Sequence, residues 1–161
     1  MARRGHPREV LWQPSSNGFR LSGWHDGYRR LPGRPKHSRA FKWHQEGLLL
    51  VRDEVEAACP LRAVVRLHMH PACEVSRVDA DAAVIWTPAG EVFLRFAGAG
   101  ELVLESGWYC PEFGRRVSNP VLAWHAVGPR VCSAFSLSLG RSPEEFDVTH
   151  GATLGGQRYG W

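Results

Sequence analysis

"HSRAFKWHQEGLLLVRDEV", residues 37–55, is the stretch whose reading decides the fold. Two runs rich in strand-forming residues flank a short turn, "QEG", whose glycine suits the left-handed step of a hairpin loop. A three-residue loop pairs positions that sum to 92, and a tighter turn pairs positions that sum to 90. Both sums are even, so odd positions face odd positions. One face then carries His37, Arg39, Phe41 and Trp43 beside Leu49, Val51, Asp53 and Val55. The apolar members gather near the turn. His37 and Asp53 meet at the open end, opposite or diagonal, roughly 5–8 Å apart at Cβ.

Working outward, the same grammar recurs. "EVLW" (9–12) and "GFRLSG" (18–23) are short strand candidates upstream. Downstream come "RAVVRLHMH" (62–70), "CEVSRV" (73–78), "AAVIW" (82–86), "EVFLRF" (91–96), "ELVLESGWY" (101–109), "VLAWHAV" (121–127) and "VCSAFSLSL" (131–139). About ten short strands at roughly ten-residue spacing imply an all-β, antiparallel β-sandwich. Residues 37–139 form that sandwich. Residues 1–36 hold many turn formers ("QPSSNG", "HDGY", "LPGRP") and read as an irregular basic N-terminal segment. Residues 140–161 read as a loose Gly-rich tail, with one weak helix candidate at "SPEEF" (142–146). At 43% hydrophobic and 22% charged, 161 residues afford one packed core and exclude global disorder.

Charge narrows the partners. Net charge is +4, and Arg3, Arg4, Arg8, Arg20, Arg29, Arg30, Arg34, Lys36, Arg39 and Lys42 crowd the first 42 residues against only Glu9 and Asp26. Such a patch suits a polyanion. No zinc-finger spacing or RNA-binding signature accompanies it, so an acidic polysaccharide is the expected partner and a basic nucleic-acid-binding β domain the minority reading. Four scattered cysteines, Cys59, Cys73, Cys110 and Cys132, read as buried thiols rather than a disulfide framework. No apolar run is long enough for a membrane helix, and "MARRGHPREV" has no apolar signal core. The chain as written is therefore expected in the cytoplasm.

"RLHMHP" places Arg66, His68 and His70 on one strand face and Val65, Leu67 and Met69 on the other. The apolar set should point inward. His37, Asp53 and His68 or His70 have the donor chemistry of a zinc site, with ligands at about 2.0–2.2 Å. Spacing alone leaves three readings open: a shared cation, a His–Asp hydrogen bond without metal, or unrelated positions.

"HDGYRRLPGRPKHSRAF", "GLLLVRDEV", "VVRLHMHP" and "GWYCPEFGRR", in that order, resemble the C-terminal β-sandwich region of heparinase II/III-like polysaccharide lyases over about residues 8–139. The resemblance implies β-elimination on uronic-acid polysaccharides, in a cleft between an N-terminal α/α toroid and the sandwich. It also implies that the base and acid come largely from the toroid. Carried over by residue, it implies zinc on His37, Asp53 and His68, with His70 the competing ligand beside the strand-ending Pro71. His25 and Tyr28, in "WHDGY" just before the sandwich, are then candidate cleft contacts; independently of the resemblance, Arg20, Arg29, Arg30 and Arg39 have the fork for a carboxylate or sulfate, and Trp24 and Trp43 have rings for stacking sugars. A chain of 161 residues cannot also hold a toroid. The expectation is a fragment or split half, inactive as a lyase alone, whose partner is a separate toroid chain. The competing expectation is a non-catalytic carbohydrate-binding sandwich. Full-length family members are expected in the periplasm or outside the cell. An isolated sandwich is expected to self-associate through the surface a toroid would cover.

Overall fold

The computed structural model describes residues 5–161, so Arg3 and Arg4 of the basic segment lie outside the described residues. Twelve strands run β1 (Pro7–Ser15), β2 (Gly18–His25), β3 (Lys36–His44), β4 (Leu48–His68), β5 (Glu74–Arg77), β6 (Ala82–Thr87), β7 (Gly90–Gly98), β8 (Glu101–Glu112), β9 (Arg115–Leu139), β10 (Glu145–Asp147), β11 (Gly151–Leu154) and β12 (Gln157–Tyr159). A nine-stranded sheet has the order β1-β2-β3-β4-β9-β7-β6-β5, with β8 also paired to β9; β10, β11 and β12 form a small second sheet. Every pairing is antiparallel. The all-β, antiparallel, sandwich-like fold expected from the alternation is present.

Its strands are not all short. Residues 48–55 and 62–68, expected as separate strands, belong to one strand, β4. Residues 121–127 and 131–139 likewise belong to β9. The two long strands pair from Leu48↔Ser138 to Glu56↔Arg130, slip, and pair again from Leu61↔Gly128 to His68↔Val121. At the slip, residues 57–60 of β4 face the single residue Pro129 of β9. Pro60 and Pro129 both lie there, and neither has an N–H to give a ladder. The extra residues bend the ribbon. One continuous sheet thereby supplies both layers of the core. Val51, Leu94, Phe96 and Phe135 come from one side of the bend, and Leu102, Leu122 and Trp124 from the other. Phe96 and Trp124 stack across the layers, 5.0 Å between ring centroids. Val65, Leu67 and Met69 pack against this core, while His68 and His70 are exposed, as alternation requires.

"LLLV" (48–51) is apolar without alternation because both of its faces are covered. Val51 and half-buried Leu49 face the sandwich core. Leu48 and Leu50 face a second cluster built from Ala152, Leu154 and Tyr159. The tail is therefore a third layer and not a loose end. Its short strands are joined by glycines at positive φ, Gly155 and Gly156. "SPEEF" forms no helix: its last two residues begin β10.

The first 36 residues differ from expectation in the same direction. Residues 7–25 form a hairpin, β1 and β2, that extends the sheet beyond β3. Among the described residues of this segment, the long irregular stretch is 26–35. Val10, Leu11 and Trp12 are exposed on β1, the sheet's edge strand. All four cysteines are free; Cys110 is exposed and the other three are half-buried, so none is the fully buried thiol expected. No helix of the described residues is long and apolar enough to cross a membrane.

The tail layer gives the first prediction. Leu154→Ala should lower unfolding stability by about 2–4 kcal/mol, as for a buried leucine in a packed core, measured by denaturant titration. A change within experimental error would mean that residues 140–161 do not form part of the core.

Candidate functional site

The strand register brings five of the expected residues together. β2 and β3 place His25 opposite His37. β3 and β4 place Arg39 opposite Asp53 and His37 opposite Val55, which leaves His37 diagonal to Asp53. The pairs sum to 92, the three-residue-loop register, and Gly47 takes the positive φ that this turn needs. Tyr28, on the loop between β2 and β3, closes the group: its ring lies 5.1 Å from that of His25 and 6.2 Å from that of His37.

These side chains form one hydrogen-bonded chain with a definite direction. The Gly27 N–H donates to His25 Nδ1 at 3.2 Å. His25 therefore carries its proton on Nε2, which donates to His37 Nδ1 at 2.9 Å. His37 in turn donates from Nε2 to Asp53 Oδ1 at 2.6 Å. Arg39 completes the set as a fork, Nε to Oδ1 at 2.7 Å and Nη2 to Oδ2 at 2.9 Å. The tautomers follow from the network: both imidazoles are neutral and both hold hydrogen on Nε2.

Burial sets the electrostatics. Asp53 is buried, 3% exposed. Burial pushes its carboxyl upward, but the hydrogen bonds and charges of His37 and Arg39 outweigh this and hold it below the ordinary 3.8. His25 moves below 6.5 because burial disfavours its cation, helped by His37 and Arg39 and opposed by Asp26.

The group forms part of a cavity of about 590 Å³ in the crook of the β4–β9 bend. Tyr28, His37, Arg39 and Asp53 line one side, and Arg62 and Arg66 from the second run of β4 line the other. Asp53, the single carboxylate of the lining, is already held by Arg39. Arg66 is paired with Glu105 at 3.1 Å. Arg62 donates to His125 Nδ1 at 2.8 Å and has no carboxylate partner among the described residues. The cavity is thus net cationic. Reading the sequence residue by residue missed Arg62 as a lining group; its signal was the arginine spacing of 62 and 66 on the polar face that ends in His68.

His68 is not part of this group. It lies at the far end of β4, opposite Val121, exposed on the face away from the core. Asp53 faces inward between the layers. His70 is engaged elsewhere, accepting the Ala72 N–H at 3.1 Å and packing edge-on against Tyr109. The expected zinc set His37, Asp53 and His68 is therefore not assembled. A zinc ion needs three or four converging donors. Among the described residues no three His, Cys, Asp or Glu side chains converge in that way. Asp53 Oδ1 accepts from both Arg39 and His37, Oδ2 accepts from Arg39, and both nitrogens of His37 are hydrogen-bonded, so the donors as arranged do not fit the ion. The stacking rings are also occupied: Lys36 Nζ sits 4.3 Å from the Trp24 ring centre, and Trp43 is half-buried opposite Leu49.

Two acid transitions follow from these directions. His25 and His44 have values lowered from 6.5, so folding resists their protonation, and stability falls as pH drops below 6.5. Asp53, depressed from 3.8, contributes stability above 3.8 that is lost as pH falls through its folded value. Asp53→Asn should cost about 3 kcal/mol at neutral pH, the low end for a broken buried pair because Arg39 is partly solvated. It should also flatten the lower transition. Melting temperature against pH for both proteins measures the effect, and equal slopes below 3.8 would refute Asp53's part in it.

The family described as Heparinase II/III-like, C-terminal, matches residues 2–140. Among solved structures, the heparinase III BT4657 gene product superposes with a TM-score of 0.69 at 16% identity, over 84% of this chain and 21% of its own. The heparan sulfate lyase HepC from Pedobacter heparinus gives 0.68 at 14% identity, over 88% and 23%. A further heparinase III gives 0.69 at 12%, over 83% and 21%. At these identities the likeness is one of fold, and the chain spans about a fifth of the length of those proteins. No curated protein sequence matches it. With the family's C-terminal region matched over residues 2–140, the chain belongs to the heparinase II/III-like family and corresponds to its C-terminal β domain.

Proposed function

We propose that this chain is the β-sandwich portion of a polysaccharide lyase that acts by β-elimination on uronic-acid-containing polysaccharide, and that it is inactive alone. The observation that carries the reading is the cationic cavity in the crook of the bend, which Arg62 and Arg66 line together with Tyr28, His37 and Arg39. β-Elimination removes the proton α to the uronate carboxyl group and expels the 4-linked oxygen. Negative charge gathers on the carboxyl group as the proton leaves, and guanidinium groups aimed at it stabilise that state. Arg62 and the outward edge of Arg39 have the charge for this role. Tyr28 lines the cavity, and with His25 it also lines a shallow pocket beside it, where the two would contact a sugar residue.

The base is the missing part. A general base must reach the proton and have a free lone pair. Both nitrogens of His25 and both oxygens of Asp53 are engaged in the internal chain. This domain supplies a binding wall, and proton abstraction falls to a second body, an α/α toroid in the same or a separate chain. The same observation favours the runner-up, a carbohydrate-binding sandwich without catalysis. The exposed Val10–Trp12 edge is a surface that such a second body, or a second copy of the domain, would cover.

Titration with a panel of uronic-acid polysaccharides separates these readings. Binding should weaken as salt rises and fall at least about tenfold in Arg62→Ala/Arg66→Ala, the loss of roughly 1.4 kcal/mol or more. Ultraviolet absorbance of unsaturated uronate should stay flat with this chain alone and rise once a toroid domain is supplied. Binding with no product in either case selects the binding module. Preference for oligonucleotides over polysaccharides would sink both.

A further inference from the structure

We infer that Arg39 is the resident cation of this site, holding Asp53, and through it His37 and His25, in the arrangement that a bound divalent metal would otherwise impose. The inference is independent of the polysaccharide reading. Three observations carry it. First, Asp53 Oδ1 accepts from both Arg39 Nε at 2.7 Å and His37 Nε2 at 2.6 Å, and Oδ2 from Arg39 Nη2 at 2.9 Å, so three of the carboxylate's four acceptor positions are filled by protein donors and its charge is met by a guanidinium. Second, the proton on His37 Nε2 points at Asp53, and its Nδ1 accepts from His25, so neither nitrogen offers a lone pair outward. Third, the register puts Arg39 directly across from Asp53, so the pairing is built into the hairpin and needs no loop to close.

The consequence is directional order. A carboxylate fixed by a guanidinium holds Oδ1 in place for the His37 Nε2 hydrogen. That fixes the hydrogen on His37, which leaves Nδ1 as the acceptor for His25. His25 is held from its other side by the Gly27 N–H. Arg39 is thus a positioning residue acting through Asp53 on two imidazoles, and the end of the chain it orders is the rim where Tyr28 sits.

Imidazole nitrogen NMR and thermal melting of the full chain test this. In the wild type both His25 and His37 should show the Nε2–H tautomer, and neither chelator nor added zinc should move the spectra or the melting temperature. Arg39→Gln should lower the melting temperature by roughly 5–15 °C and scramble the two tautomers. Arg39→Lys keeps the charge but loses the fork, and should recover part of both signals. If Arg39→Gln does not fold, Arg39→Lys carries the test through its tautomers alone. The inference is overturned if chelator lowers the wild-type melting temperature, if purified protein holds stoichiometric zinc, or if the tautomers of the folded Arg39 variants match the wild type.

Discussion

The bend between residues 57–60 of β4 and Pro129 of β9 is the constraint on which the rest depends. Without it, two strands of 21 and 25 residues would form a long flat ribbon with no interior. Backbone ladders resist such bends, because each pair has its own hydrogen bonds to lose. Prolines at the break lower that cost, since the N–H groups they lack have no ladder bond to lose. Once the ribbon turns back, Val65 and Leu67 of the second run find Val51 and Phe135 of the first, and apolar burial holds the turn closed. The cavity is a by-product of the same geometry: layers that diverge from a hinge leave space at the hinge unless large side chains fill it.

That space is where the fold can tolerate a buried carboxylate. Asp53 lies two residues along the strand from Val51, on the same inward face, and a charge there is costly without compensation. Arg39 supplies the charge and the two-pronged geometry, and His37 a further donor. A lysine could match the charge but not the fork. The ion pair is a weak source of net stability, since removing two charges from water offsets most of their attraction. Its structural return is uniqueness of arrangement: one register, one pair of tautomers, one orientation of the rim.

The hairpin at 37–55 was legible in the sequence because parity in a strand is local. The turn residues set the sum, and the sum set which side chains share a face. The inward set Val65, Leu67 and Met69 was legible for the same reason. His68 was not, because its distance from Asp53 depends on how the ribbon bends at "AACP", and no local pattern encodes a bend's direction. Residues 56–61 stood outside both expected strands, 48–55 and 62–70, when they form the corner of one strand. The tail was obscured by its own glycines, which signal looseness where they are turn residues between strands of three and four residues. The clue was the spacing of Ala152 and Leu154, two apolar residues on one face with no other partner in view. The pairing of Arg39 with Asp53 was within reach of the same arithmetic that placed His37. Attention to metal donors passed over the cation already standing opposite the carboxylate.

Charge bookkeeping around the cavity is the physical basis of the proposed anion binding without a base. Arg39 neutralises Asp53, and Glu105 neutralises Arg66 while accepting from His125 at 3.0 Å. Arg62 rests its guanidinium on the His125 imidazole and has no carboxylate partner among the described residues, so its charge stays unneutralised beside the cavity. A cation facing a partly enclosed space acts through lower dielectric than one on an open surface, and its pull on a carboxylate or sulfate is correspondingly stronger. The imidazoles, by contrast, are spent on one another. Making either a base means breaking the chain from Gly27 to Asp53 at some link, and the link at 3.2 Å, from the Gly27 N–H to His25 Nδ1, is the longest of the set. A ligand or a neighbouring domain that displaced Gly27 would free that nitrogen at the cost of the bond from Arg30 Nη1 to the Gly27 carbonyl, 2.8 Å, so the loop carrying Tyr28 is where the chain of imidazoles is open to a second body.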